Sequence, residues 1–185
     1  MALVFPVLAG VALGLVLDGK LSRFAAMPLR APWLFLLAIV LQVIAFPFGV
    51  LPWRTGETAA TFLWLASFAL LIAAAMINRK ITGVPLVAVG LCANVAAVLA
   101  NGGTMPVLPE AMHTAGRVDP MVANSTADAS PNLPLLVDRW AAPEWIPYAN
   151  VYSIGDVLIA VGAVVLVLAA MGARLPWPAR LRRAA

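Results

Sequence analysis

Apolar positions along this chain fall into long, nearly uncharged blocks, and the charged and turn-forming residues gather between them. A block of about 18 or more apolar residues is long enough to cross a hydrocarbon core as a helix rising about 1.5 Å per residue. Five blocks meet or approach that length: 1–17, 31–53, 58–78, 81–100 and 151–173. The first stops at Asp18-Gly19-Lys20 and carries Gly10 and Gly14 four residues apart, a spacing that allows close helix contact. It lacks the basic start and small-residue cleavage pattern of a signal peptide. The second is framed by Arg30 and Arg54, with Trp33 and Trp53 near the level where indole favours lipid headgroups, and Pro47 and Pro52 are expected to kink or end it. The third follows an Arg-Thr-Gly-Glu turn and ends at Asn78-Arg79-Lys80, which implies a tight helical hairpin. The fourth ends in Asn101-Gly102-Gly103, residues suited to a helix carboxyl end.

Composition strengthens this reading. The apolar fraction is 63 % and the charged fraction 11 %, against about 45–50 % and about 25 % in ordinary globular domains. The expected fold is therefore an all-α integral membrane protein: a single domain of five transmembrane helices with a long extracytoplasmic loop, 101–150, between helices 4 and 5. The single Cys92 excludes an intrachain disulfide or a thiol-rich metal site. The net charge of +4 does not point to nucleic acid, because the basic residues flank apolar blocks and form no stripe with interleaved aromatics.

Lysine and arginine in short loops set orientation, since their translocation is disfavoured. With the amino end outside, nine of the twelve fall inside: Lys20, Arg23, Arg30, Arg79, Lys80, Arg174, Arg180, Arg182 and Arg183. Only Arg54, Arg117 and Arg139 fall outside, and 174–185 becomes a basic cytoplasmic tail. The segment 101–150 is rich in proline and too long for an unstructured loop without a role. Two short interfacial helices are expected in it. One covers 109–115, with Pro109 in the first turn and Gly116 as the stop; the other places Leu133, Leu136, Val137 and Trp140 on one face near Trp145 and Tyr148, with Asp138 and Arg139 turned away. Between them, 117–131 reads as a mobile linker containing the acceptor-like Asn124-Ser125-Thr126.

Asp156 is the one carboxylate inside an apolar block, where ionised burial is costly and function is the default hypothesis. Its setting, Ser153-Ile154-Gly155-Asp156, also has the form of a capping box, in which both side chains satisfy orphan backbone donors. Asn94 and Gln42 lie near mid-span and are expected to bond across helices; with Ser67, Asn78 and Asn101 they offer an alternative polar path toward the outer face. Glu110 and His113 match half of a di-metal motif, but no second copy accompanies them, so a solvated helix face is the simpler reading and no metal site is assigned. No nucleophile elbow or phosphate loop is present.

Four stretches taken together resemble a known family: Gly14 to Arg23 (GLVLDGKLSR), Leu29 to Trp33 (LRAPW), Asn101 to Val107 (NGGTMPV) and Tyr152 to Leu158 (YSIGDVL). They resemble a bacterial family of multi-pass membrane proteins classed only as a domain of unknown function. The resemblance implies an inner or plasma membrane location and a single domain, and supplies no reaction, ligand or cofactor. It also implies a histidine shortly before the last helix, where this chain has none after His113.

Three functions are consistent with these features. The absence of paired chemistry favours a structural or accessory protein whose outer segment contacts a membrane-protein partner or a second copy. Convergence of Asp156, Asn94 and Asn101 on one cavity would favour a small-solute, ion or proton transporter. An enzyme acting on a lipid-soluble substrate at the outer interface would need two of Glu110, His113 and Asp138 close to a common reacting atom.

Overall fold

A computed structural model describes residues 4–47, 55–116, 124–142 and 150–174. The chain is mostly helical. The elements are α1 (Val4–Val16), α2 (Leu21–Ala25), α3 (Trp33–Ala45), α4 (Glu57–Ile77), α5 (Val84–Ala100), β1 (Met105–Val107), α6 (Pro109–Thr114), β2 (Ser125–Ala127), β3 (Trp140–Ala141), β4 (Val151–Tyr152) and α7 (Ile154–Met171). Two of these helices, α4 and α7, are long and apolar enough to cross a membrane; α1, α3 and α5 are shorter apolar helices.

Each apolar helix ends where the sequence removes backbone donors or admits unusual dihedrals. Helix α3 stops at Ala45, two residues before Pro47; Pro52, Trp53 and Arg54 lie outside the described residues. Gly172, at φ 65°, closes α7 in the left-handed region. Helix α5 begins at Val84 rather than Ile81, because Gly83 at φ 92° and the adjacent Pro85 mark the helix start.

The main packing pairs run in the order α1, α7, α5, α4, α3. Small residues carry the closest approaches. At Gly90 an added Cβ would lie 2.5 Å from the Gly155 carbonyl oxygen, and at Gly83 one would lie 2.5 Å from that of Gly162, so α5 and α7 meet backbone to backbone at two levels. Gly10 and Gly14 of α1 pack against Val167 and Met171 of α7. One end of the bundle is stitched through Lys20 N to Met171 O at 2.9 Å and Arg174 N to Leu17 O at 2.8 Å. At the same end Asn78 accepts from Arg30 N at 2.8 Å and donates to Arg30 O at 2.9 Å, tying the start of α3 to the end of α4.

The opposite end is covered by the segment between α5 and α7, whose structure differs from the expected pair of helices. Only α6 forms. Leu133, Leu136, Val137 and Trp140 do not make a helix: Leu133 takes φ 52°, Val137 is fully buried, and Trp140 enters β3, which pairs antiparallel with β4. The physical reason is that Asp138 uses its backbone for tertiary pairing, donating N–H to Pro106 O and accepting from Leu108 N, both at 3.0 Å. On the other edge of β1, β2 pairs in parallel, Met105 opposite Ser125, so residues 125–127 of the expected linker 117–131 form a strand. Residues 117–123, Trp145 and Tyr148 lie outside the described residues. Two apolar clusters seat this cap: Ala97, Val98, Met105 and Val137 with Trp64 beside them, and Val107, Ala111, Met112, Ala115 and Val151.

Candidate functional site

The site is built at the amino end of α7. Ser153 is its N-cap: Ser153 Oγ accepts from Asp156 N at 3.0 Å, and Asp156 Oδ2 accepts from Ser153 N at 3.1 Å, a capping box that satisfies two orphan donors. Asn94, one helix away on α5, completes the network. Its Nδ2 donates to Asp156 Oδ1 at 2.9 Å, while its Oδ1 accepts from Ser153 Oγ at 2.8 Å. Both carboxylate oxygens therefore have a donor, and the amide is used at both ends. Gly155 makes the reach possible, since a Cβ there would collide with the Asn94 side-chain oxygen.

Asp138 lines a cavity together with Asn94 and Asp156, held by its backbone pairing to β1. Its side chain is buried, 7 % exposed, and Oδ1 has no hydrogen-bond partner. Burial, and secondarily the charge of Asp156, push its carboxyl up to about 8. It is therefore largely protonated at neutral pH. Asn124 Nδ2 is a second buried polar atom without a partner. The cavity measures about 160 Å³ and is lined by Trp64, Asn94, Asn124, Asp138, Tyr152 and Asp156, among others. Trp64 stacks on Phe68 with ring centroids 4.0 Å apart, giving an aromatic wall on the α4 side.

Residues 26–168 match a family of unknown function, DUF5317. The chain belongs to that family. The DUF5317 match takes in α3 through most of α7, hence every residue lining the cavity, and three of the four resembling stretches; Gly14 to Arg23 precedes it. No curated protein and no solved structure matches the chain.

The remaining candidates do not join the DUF5317 cavity. Asn101 caps the end of α5 and clamps the outer segment: it donates to Ala97 O at 2.7 Å and Asn132 O at 3.0 Å, and accepts from Asn132 N at 2.7 Å. Glu110 and His113 stand exposed on α6, away from the cavity lining. Gln42 donates to Ser67 Oγ at 3.1 Å, which in turn donates to Trp64 O at 2.7 Å. With Asn78 committed to Arg30, these amides form separate interhelical ties rather than a continuous path. Among the described residues, no group of three His, Cys, Asp or Glu side chains is placed to hold a metal ion.

Proposed function

We propose that this protein is a five-span integral membrane protein that acts as a small-solute transporter, taking its solute at the outer face in the cavity between Asp138 and Asp156. The apolar helices support the membrane reading by being inverted relative to a soluble fold. They bury Gly, Ala and Ser beside larger apolar residues where they touch, while Val16 at 80 %, Phe62 at 68 % and Leu36 at 65 % face outward. Lipid is the medium that such faces require. The positive-inside count puts the end carrying Lys20, Arg30, Arg79 and Arg174 in the cytoplasm and the capped end outside.

The observation that carries the solute reading is the unpartnered, buried Asp138 Oδ1 on a cavity also lined by Asp156, both of whose carboxylate oxygens are bonded. A buried polar atom left without a partner costs about 1–3 kcal/mol, a cost that a ligand offsets by supplying the hydrogen bond. A volume of about 160 Å³ suits a ligand on the scale of benzene, which occupies cavities of about 150 Å³. The test is thermal stabilisation of the detergent-purified protein by a panel of small cationic, anionic and neutral solutes, since a ligand binding only the native state raises its stability. We expect one class to stabilise the wild type and to fail with Asp156→Asn and Asn94→Ala. Stabilisation by no class, or equal stabilisation of both variants, would overturn the proposal.

A second reading, an accessory subunit, draws on the outer surface: Leu135, Leu133 and Trp140 are exposed on the cap, a surface suited to a membrane-protein partner or a second copy. Purification in mild detergent with a stoichiometric second protein would favour it.

A further inference from the structure

We infer that the ligand of this cavity is a small organic ammonium ion, bound through N–H donors between Asp138 and Asp156. The inference rests on the solute-binding reading and names its substrate class. Three features of the lining select that class. First, Asp138 Oδ1 is a buried carboxyl oxygen without a partner, and once the carboxyl has given up its proton that oxygen only accepts, so a ligand N–H satisfies it. Second, the acid–base groups that the described residues place on the wall are acidic, with no Lys, Arg or His among the described lining residues to receive an anion. Third, Trp64, Phe68 and Tyr152 offer aromatic surface for an alkyl flank and for the cation itself. Two carboxyl groups, with no third acidic or imidazole ligand beside them among the described residues, suit an ammonium better than a divalent metal, which requires a fuller oxygen shell. Asn124 Nδ2, the other unmet group, is a donor, so a hydroxyl or carbonyl on the ligand would complete the set.

Proton exchange follows from charge. Asp138 enters the empty site protonated, held so by burial and by Asp156. The other titratable group facing it is the Tyr152 phenol; Arg139, next in sequence, turns instead to Pro134 O at 3.2 Å and over the Trp140 ring. The rest of the described wall comes from α4, α5, β1, Asn124 with the start of β2, and Asn150 with Val151, and none of these contributes a side chain that titrates in this range. An arriving ammonium stabilises the carboxylate form, and the Asp138 proton passes to solvent.

Isothermal titration calorimetry of the full chain in nanodiscs with ethanolammonium tests this, with tetramethylammonium, potassium and acetate as comparisons. A primary ammonium keeps its charge up to about 10, so affinity should rise about tenfold per pH unit below about 8 and level off above it. The heat should vary with the ionisation enthalpy of the buffer, reporting close to one proton released per ligand near neutral pH, and Asp138→Asn should abolish both effects. If that variant does not fold, the buffer dependence of the wild type decides alone. Binding of ethanolammonium without proton release, or equal binding of potassium or tetramethylammonium, overturns the inference. Asp156-dependent binding of acetate or a neutral solute overturns it while leaving the solute-binding reading intact, whereas no binding in any class removes both.

Discussion

Asn94 and Asp156 lie 62 residues apart in sequence and are joined by a 2.9 Å hydrogen bond between α5 and α7. The same amide accepts from Ser153 at 2.8 Å, so a local cap at a helix start becomes a tertiary tie. This relationship makes Asp156 more than a capping residue, because its side chain is fixed on the wall of a cavity that Asp138 also lines.

The closeness of α5 and α7 at Gly155 leaves no room for a methyl group. Gly155→Ala should destabilise the protein by about 1–3 kcal/mol through overpacking and displacement of Asn94. Gly56→Ala, where an added Cβ meets nothing within 4 Å, should cost less than about 1 kcal/mol. Thermal unfolding of the two variants in detergent checks the difference.

Ser153 serves the helix cap and Asn94 together. Ser153→Ala should lose about 0.5–2 kcal/mol from the cap alone. It should also leave the Asn94 oxygen without its donor, so Ser153→Ala combined with Asn94→Leu should cost less than the sum of the single changes. A double-mutant cycle by thermal or denaturant unfolding measures that coupling.

Asp138 dictates a pH dependence of definite sign. Its carboxyl is raised from 3.8 to about 8 by burial and then by Asp156, so between those values the folded chain binds a proton that the unfolded chain lacks. Its favourable contribution is complete below the unfolded value and is lost as pH rises through about 8. The melting temperature of the wild type should fall relative to Asp138→Asn across this range and then run parallel to it. A constant gap between the two curves would show that Asp138 titrates as an ordinary exposed acid.

Asn101 holds the cap to the end of α5 through Asn132. Asn101→Ala should loosen the outer segment by about 1–3 kcal/mol while the helices persist. Hydrogen exchange should therefore quicken in 124–142 and stay unchanged in α7. Uniform quickening would mean that the clamp supports the whole bundle.

The apolar helices were legible because a membrane-like chain writes each one as a block, and the capping box because its partners sit three residues apart. Glycine contacts at Gly10 and Gly14 were suggested by spacing, while the Gly83, Gly90, Gly155 and Gly162 pairing depends on which helices adjoin. Asp138 was hidden for a different reason. The pattern Leu133, Leu136, Val137, Trp140 fits a helix, which turns Asp138 toward water; backbone pairing of Asp138 with β1 instead buries its side chain beside a residue 18 positions later. Trp64 and Asn124 likewise reach the cavity only through tertiary folding, and the local pattern at Asn124, an acceptor-like Asn-Ser-Thr, points elsewhere.

Uptake into proteoliposomes of the solute that stabilises the wild type, compared between wild type and Asp156→Asn per folded molecule, tests the central claim most directly. The account predicts loss of uptake in a variant that still reconstitutes as a folded protein. A variant that melts at lower temperature yet transports as the wild type does would contradict it, and would reduce Asp156 to the cap of its own helix.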